Sequence, residues 1–165
     1  QDSYYKDISH LSLEERNQVN FDHPDSLDFS ILCTHLEDLK KGKNILKPVY
    51  DFKTHSRSSS FEEIHAAKII VVEGILLFAD ARIRELCDIK LFIETDEDIR
   101  LLRRLERDVT ERGRTIEQVK KQYLKTVKPM YSLFVAPGKA YADIIIPSMG
   151  DTAEAERIIT SRLMH

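Results

Sequence analysis

Three short apolar runs set the fold class of this chain: Lys68-Ile69-Ile70-Val71-Val72-Glu73, Ile89-Lys90-Leu91-Phe92-Ile93-Glu94 and Ala142-Asp143-Ile144-Ile145-Ile146-Pro147. Each is nearly continuous and rich in β-branched or aromatic residues. That pattern suits a parallel strand covered on both faces. Helical patterns separate them. Ser26 to Lys41 carries Phe29, Leu32, Leu36 and Leu39 on one face and stops at Gly42. Further helices are predicted over Asp80 to Cys87, Asp96 to about Glu111 with Thr95 as N-cap, Thr115 to about Val127, and Asp151 to Leu163. Pro129 should end or kink the helix over Thr115 to about Val127. Ser12-Leu13-Glu14-Glu15 is a capping-box pattern that opens one more short helix. Strands alternating with helices predict an α/β domain spanning 1–165, built on a mostly parallel sheet flanked by helices. In such sheets ligands sit at the carboxyl ends of the strands, here Glu73-Gly74, Glu94-Thr95-Asp96 and Pro147.

Charge and cysteine content narrow the function classes. Lys+Arg is 25 and Asp+Glu is 28, a net charge of −3. A phosphate-tracking surface usually shows as a basic excess, so nucleic acid is not the expected partner. Two cysteines, Cys33 and Cys87, form no disulfide framework and no metal motif, as in a reduced cytoplasmic protein. No apolar run is long enough for a membrane span, and the first residues are too polar for a signal peptide. The chain does not begin with Met, which fits processing or a fragment.

Five segments carry candidate chemistry. Val71-Val72-Glu73-Gly74, an apolar strand ending in an acid and a glycine, resembles a Walker B element, whose acid can hold Mg²⁺. An ordinary strand end is the alternative. Asn20-Phe21-Asp22-His23-Pro24-Asp25-Ser26 crowds acids, a histidine and an aromatic ring into a turn. A helix entry capped by Asp25 or Ser26 accounts for only one of those polar residues. In Pro48-Val49-Tyr50-Asp51-Phe52-Lys53-Thr54-His55-Ser56-Arg57, Tyr50 and Phe52 share a face, where they stack a nucleobase or pack on the body of the protein. Asp98 to Arg114 holds six arginines and no lysine. Arg100, Arg104 and Arg107 fall on one helix face, suited to phosphate oxygens, although a solvated helix laced with Asp98, Glu106, Asp108 and Glu111 is the alternative. Arg112-Gly113-Arg114 then breaks that helix, as a lid hinge or a C-cap.

Taken in order, QDSYY, NFDHPDS, PVYDFKTHSR, VVEGILLF, RLLRRLERDVTERGR, QYLKTVKPMY and YADIIIP resemble the uridine kinase family of P-loop nucleoside kinases over almost the whole chain. The resemblance implies a P-loop kinase-like sheet with a small β-hairpin nucleoside-binding arm and a helical lid. It implies transfer of the γ-phosphate of ATP or GTP, with Mg²⁺, to the 5′-hydroxyl of uridine or cytidine. Asp2 matches the catalytic aspartate, and Glu73, with Asp2, the Mg²⁺-associated acids. Asp22 matches the ribose-binding acid, with Arg104 and Gln122 beside it. Phe21, Tyr50, Phe52 and His55 match the base pocket. Arg107 and Arg112 would face the phosphates, Arg114 the nucleoside or phosphate side of a closed lid, and Asp151 the nucleotide base. A homotetramer is implied as well.

One departure stands out. None of the five glycines, at 42, 74, 113, 138 and 150, lies in a GxxxxGK[ST] loop. The resemblance therefore implies an upstream segment in the natural protein, and an intact mass of 19.2 kDa would refute that for a given sample. Two other readings compete. A phosphoribulokinase-like sister kinase would need a sugar-phosphate pocket in place of Tyr50, Phe52 and His55. A nucleoside-binding or regulatory module would bind without turnover.

Overall fold

A computed structural model describes residues 1–149 and 152–163. The chain forms two compact units, Gln1–Asp88 and Ile89–His165.

The first unit is built around α2 (Phe29–Lys40), which buries Leu32, Cys33, Leu36 and Leu39. Tyr4, Leu77 and Ile83 join Leu32, Cys33 and Leu36 in one core, and Val72, Phe78 and Cys87 pack against it. α2 begins later than its periodicity predicts. A 3₁₀ turn at Pro24–Ser26 comes first, with His23 Nδ1 accepting from Asp25 N at 3.1 Å. Asp28 is the N-cap, accepting from Ile31 N at 3.2 Å, so neither Asp25 nor Ser26 caps the helix. Its end agrees with prediction: Gly42 adopts φ +78°, a conformation glycine takes without steric cost. α1 (Leu13–Gln18) carries the predicted capping box, Ser12 with Glu15. α3 (Ala81–Leu86) starts on Asp80, whose carboxylate accepts from Arg82 N at 2.8 Å.

β1 (Ile45–Asp51) and β2 (Ser56–Ile64) form the predicted hairpin, antiparallel from Ile45↔Ile64 to Asp51↔Ser56. The register shifts between Pro48 and Tyr50, where a residue without an N–H interrupts the ladder. The run from Lys68 to Glu73 is not a strand. It has no ladder partner among the described residues, and Val71 is 83% exposed. An apolar run becomes a strand only where a neighbour takes up its backbone donors and acceptors.

Tyr4 Oη lies 2.9 Å from His35 Nδ1 in the core beside α2. Burial pushes the phenol up to about 12 and lowers the pKa of His35 below 6.5, with Arg57 adding to that and Asp38 opposing it. The fold therefore favours the neutral imidazole. Below about pH 6.5 the unfolded chain binds the extra proton first, so stability falls with pH until His35 is protonated in the folded state as well. Melting temperatures between pH 7.5 and 5 should show this loss, and His35→Gln should flatten it.

In the second unit β3 (Leu91–Glu94) and β4 (Ile144–Pro147) pair in parallel, from Leu91↔Ile144 to Glu94↔Pro147. The predicted parallel pairing holds for these two runs, but not the covering on both faces: Ile93 and Ile145 are exposed. α4 (Glu97–Thr110) follows β3, capped at Asp96 rather than Thr95, whose hydroxyl donates to Ser148 Oγ at 2.7 Å. α5 (Ile116–Gln122) opens with a capping box between Thr115 and Gln118. The helical course does not stop at Pro129. It passes through a wide π turn (Tyr123–Val127), α6 (Lys128–Met130), a second π turn (Tyr131–Val135) and a 3₁₀ stretch (Ala136–Tyr141). A shift from i+4 to i+5 bonding around the proline accommodates its missing N–H. α7 (Ala153–Leu163) closes the described chain. No helix of the described residues is long and apolar enough to cross a membrane.

Candidate active site

Asp2 begins a 3₁₀ turn, Asp2–Tyr4, that is tied to the end of the first apolar run and the segment after it. The Gln1 nitrogen donates to Glu73 O at 2.9 Å, and Gln1 Oε1 accepts from Leu76 N at 2.9 Å. Asp2 and Glu73 both lie within electrostatic reach of the Gln1 nitrogen. Two carboxylates at one turn fit Mg²⁺, which takes one or two of them and keeps several waters. Among the described residues no group of three or more His, Cys, Asp or Glu side chains is placed to hold a metal. Gly74 is packed against the Gln1 side chain: a Cβ there would collide with Gln1 Oε1 and Gln1 Cβ. Gly74→Ala should displace Asp2 and lower turnover at least 10-fold with little change in melting temperature, since a 1 Å misplacement at a reacting group is that costly. Steady-state kinetics beside calorimetry would check it.

The hairpin carries an aromatic cluster. Phe21 stacks on His55 with centroids 4.7 Å apart and an 18° interplanar angle. Tyr5 meets Phe21 at 5.4 Å and Tyr50 at 5.2 Å, and Tyr50 meets Phe52 at 5.2 Å. Phe52 is 54% exposed, whereas Tyr50 is buried. The Tyr50 hydroxyl finds no hydrogen-bond partner among the described residues, and burial pushes its pKa up to about 12. A buried hydroxyl without a partner is costly to the fold. His55 takes φ +50°, an uncommon conformation for a non-glycine residue. The turn that holds it is fixed by Asp51, which accepts from Lys53 N and Thr54 Oγ1, both at 2.8 Å. Asp22, half-buried beside Phe21, donates its N–H to Asn20 Oδ1 at 3.2 Å.

Two arginines absent from the sequence-derived site hold this arm in place. Arg16 of α1 donates to Leu11 O, Ser9 O and Thr54 O, tying the helix to the hairpin turn. Arg57, paired with Tyr50 in the ladder, donates to Tyr5 O at 2.7 Å and Tyr4 O at 3.3 Å, and lies 3.5 Å from Asp28. It couples the hairpin to the turn that carries Asp2. Tyr5 itself, central to the aromatic cluster, was also not singled out.

The second unit gathers the other candidates around one acid. Asp108 is fully buried. Its Oδ1 receives Arg107 at 2.9 Å and faces Arg112 at 3.5 Å. Its Oδ2 receives Arg114 at 3.1 Å and faces Arg104 Nε at 3.6 Å. Gln122 Oε1 accepts from Arg104 at 3.1 Å and from Arg114 at 2.6 Å. Four guanidiniums against one carboxylate leave three positive charges, an arrangement that can hold an anion. Gly113, at φ +64°, reverses the chain so that Arg112 and Arg114 reach the same carboxylate. Arg100 does not belong to the cluster. It lies over the Tyr131 ring at 3.5 Å and donates to Thr95 O, so the three-arginine face read from spacing reduces to Arg104 and Arg107. At the end of β3, Glu94 pairs with Lys139. Asp151 lies outside the described residues.

Fold and site define an α/β protein with an arginine cluster suited to an anion and an aromatic arm suited to a flat ring. The phosphoribulokinase/uridine kinase family model matches residues 1–155, and the chain belongs to that family. A uridine kinase from Clostridium novyi (strain NT) is 51% identical over 163 residues, covering 99% of this chain and 78% of that protein. One from Halalkalibacterium halodurans is 51% identical over 163 residues, covering 99% and 77%. A solved structure from Silicibacter sp. TM1040, named for a fructose transport system kinase, superposes with a TM-score of 0.66 at 18% identity, over 88% of this chain and 72% of that one. That likeness bears on the fold alone.

Proposed function

We propose that this protein is a uridine/cytidine kinase to whose single kinase domain 1–165 belongs. It transfers the γ-phosphate of ATP or GTP to the nucleoside 5′-hydroxyl, giving UMP or CMP for pyrimidine salvage in the cytoplasm. The observation that carries the reading is the aromatic cluster of Tyr5, Phe21, Tyr50, Phe52 and His55, which a sugar-phosphate kinase would not need. It is supported by relatives about half identical in sequence that are named uridine kinases.

In this mechanism the aromatic cluster of Phe21, Tyr50, Phe52 and His55 forms the wall that receives the pyrimidine. Asp22, a pure acceptor, accepts hydrogen bonds from the two ribose hydroxyls, and Arg104 and Gln122 are further candidates for the ribose. Asp2 accepts the proton of the 5′-hydroxyl as that oxygen attacks phosphorus. Arg107, Arg112 and Arg114 hold the charge that develops on the transferring phosphoryl oxygens. Asp2 and Glu73 would hold Mg²⁺, which when bound neutralises phosphate charge. The resemblance would assign Asp151, outside the described residues, to the nucleotide base. The expected assembly is a homotetramer, which light scattering would read. The functional test is a coupled assay on the full-length protein with Mg²⁺ and ATP or GTP. Turnover of uridine and cytidine, with adenosine refused, is expected; uridine binding without turnover would refute the kinase reading.

A further inference from the structure

We infer that Asp108 is a positioning residue for phosphoryl transfer: its buried carboxylate fixes the directions in which four arginines present their remaining N–H groups. The inference rests on the reading of that cluster as phosphate-handling. One pair follows from the helix period, with Arg104 one turn before Asp108, and a second from the turn just past the end of α4, where Arg112 comes four residues after it. A third comes from the left-handed Gly113, which returns the chain so that Arg114 N donates to Asp108 O at 3.0 Å while its guanidinium reaches Oδ2. Arg107 completes the set with two bonds to Oδ1, at 2.9 and 3.0 Å. Each guanidinium has five N–H donors in a rigid plane, so the bonds from Arg107 and Arg114 to Asp108 fix their orientation and leave donors for an anion, while Arg104 and Arg112 face the same carboxylate as ion pairs at 3.6 and 3.5 Å.

Charge alone does not explain the carboxylate. An acid at the centre of an anion site subtracts from the field that attracts the anion, and a neutral residue would favour ground-state binding. Orientation does explain it, because aligned donors matter most where charge develops during transfer. Neutralising Asp108 should therefore separate the two. ATP should bind as tightly as before or more tightly, while kcat falls.

The experiment compares the full-length wild type, Asp108→Asn and Asp108→Glu, with circular dichroism and melting to establish folding, ATP binding by calorimetry, and uridine turnover. For the folded Asn variant a kcat about 100-fold lower, with ATP affinity unchanged or tighter, is expected. A kcat equal to wild type, or ATP affinity falling in step with kcat, overturns the proposal. If the Asn variant does not fold, the Glu variant decides, since it keeps the charge and moves it by one methylene. A kcat about 10-fold lower in a folded Glu variant supports the proposal, and a wild-type kcat overturns it. A wild type without turnover would instead refute the kinase reading itself.

Discussion

Replacing Asp2 by Asn in the full-length protein is expected to lower uridine turnover by about 10³-fold, or about 4 kcal/mol of transition-state stabilisation, with uridine affinity near that of the wild type. Asn keeps the shape of the side chain and so leaves the 3₁₀ turn at Asp2–Tyr4 in place. It removes the anionic acceptor. The turn is held by contacts that do not use the Asp2 carboxylate: Gln1 with Glu73 O and Leu76 N, Tyr4 with His35, and Arg57 with Tyr4 O and Tyr5 O. A loss of activity in this variant would therefore be a loss of chemistry, not of fold. Kinetics beside a uridine titration checks it. Unchanged turnover would move the proton acceptor elsewhere.

Asp108→Ala is expected to cost about 3 kcal/mol of stability, read as a lower midpoint in urea unfolding. Removing the buried carboxylate leaves four guanidiniums facing one another with no counter-charge. The cost sits at the lower end of a broken buried pair because Arg107 and Arg112 are 43% and 46% exposed and can turn to water. Arg104, at 17%, has least room to do so. Sulfate should restore part of the loss by occupying the vacated position between the arginines. An unfolding midpoint equal to that of the wild type would mean that the cluster contributes nothing to the fold.

Residue type and local spacing carried much of this into the sequence. The hairpin was legible because Tyr50 and Phe52 sit at strand spacing before a turn, and the capping box at Ser12 because its two partners lie within one turn of helix. The six arginines pointed to an anion because arginine in place of lysine is a chemical choice. Asp108 was not legible in the same way. An acid in a charged helix reads as part of a solvated face, and only burial separates it from Asp98 or Glu106. The signal that could have found it is the Arg104–Asp108–Arg112 spacing, an acid with a guanidinium one turn to either side. Arg57 and Tyr5 depended on a ladder register and on contacts between distant segments, neither of which local pattern supplies. Lys68 to Glu73 failed as a strand because pairing is a property of neighbours, not of the run. Pro129, expected to end or kink its helix, does not end it, because π turns on both sides take up the missing N–H.

The most direct test of the account follows a label from the γ-phosphate of ATP into the nucleoside, using the full-length protein, Mg²⁺ and uridine. The account predicts labelled UMP, with the phosphate on the 5′-oxygen and one ADP formed for each UMP. Uridine bound at the aromatic arm with no label transferred, from a protein shown to be folded and to bind ATP, would contradict it.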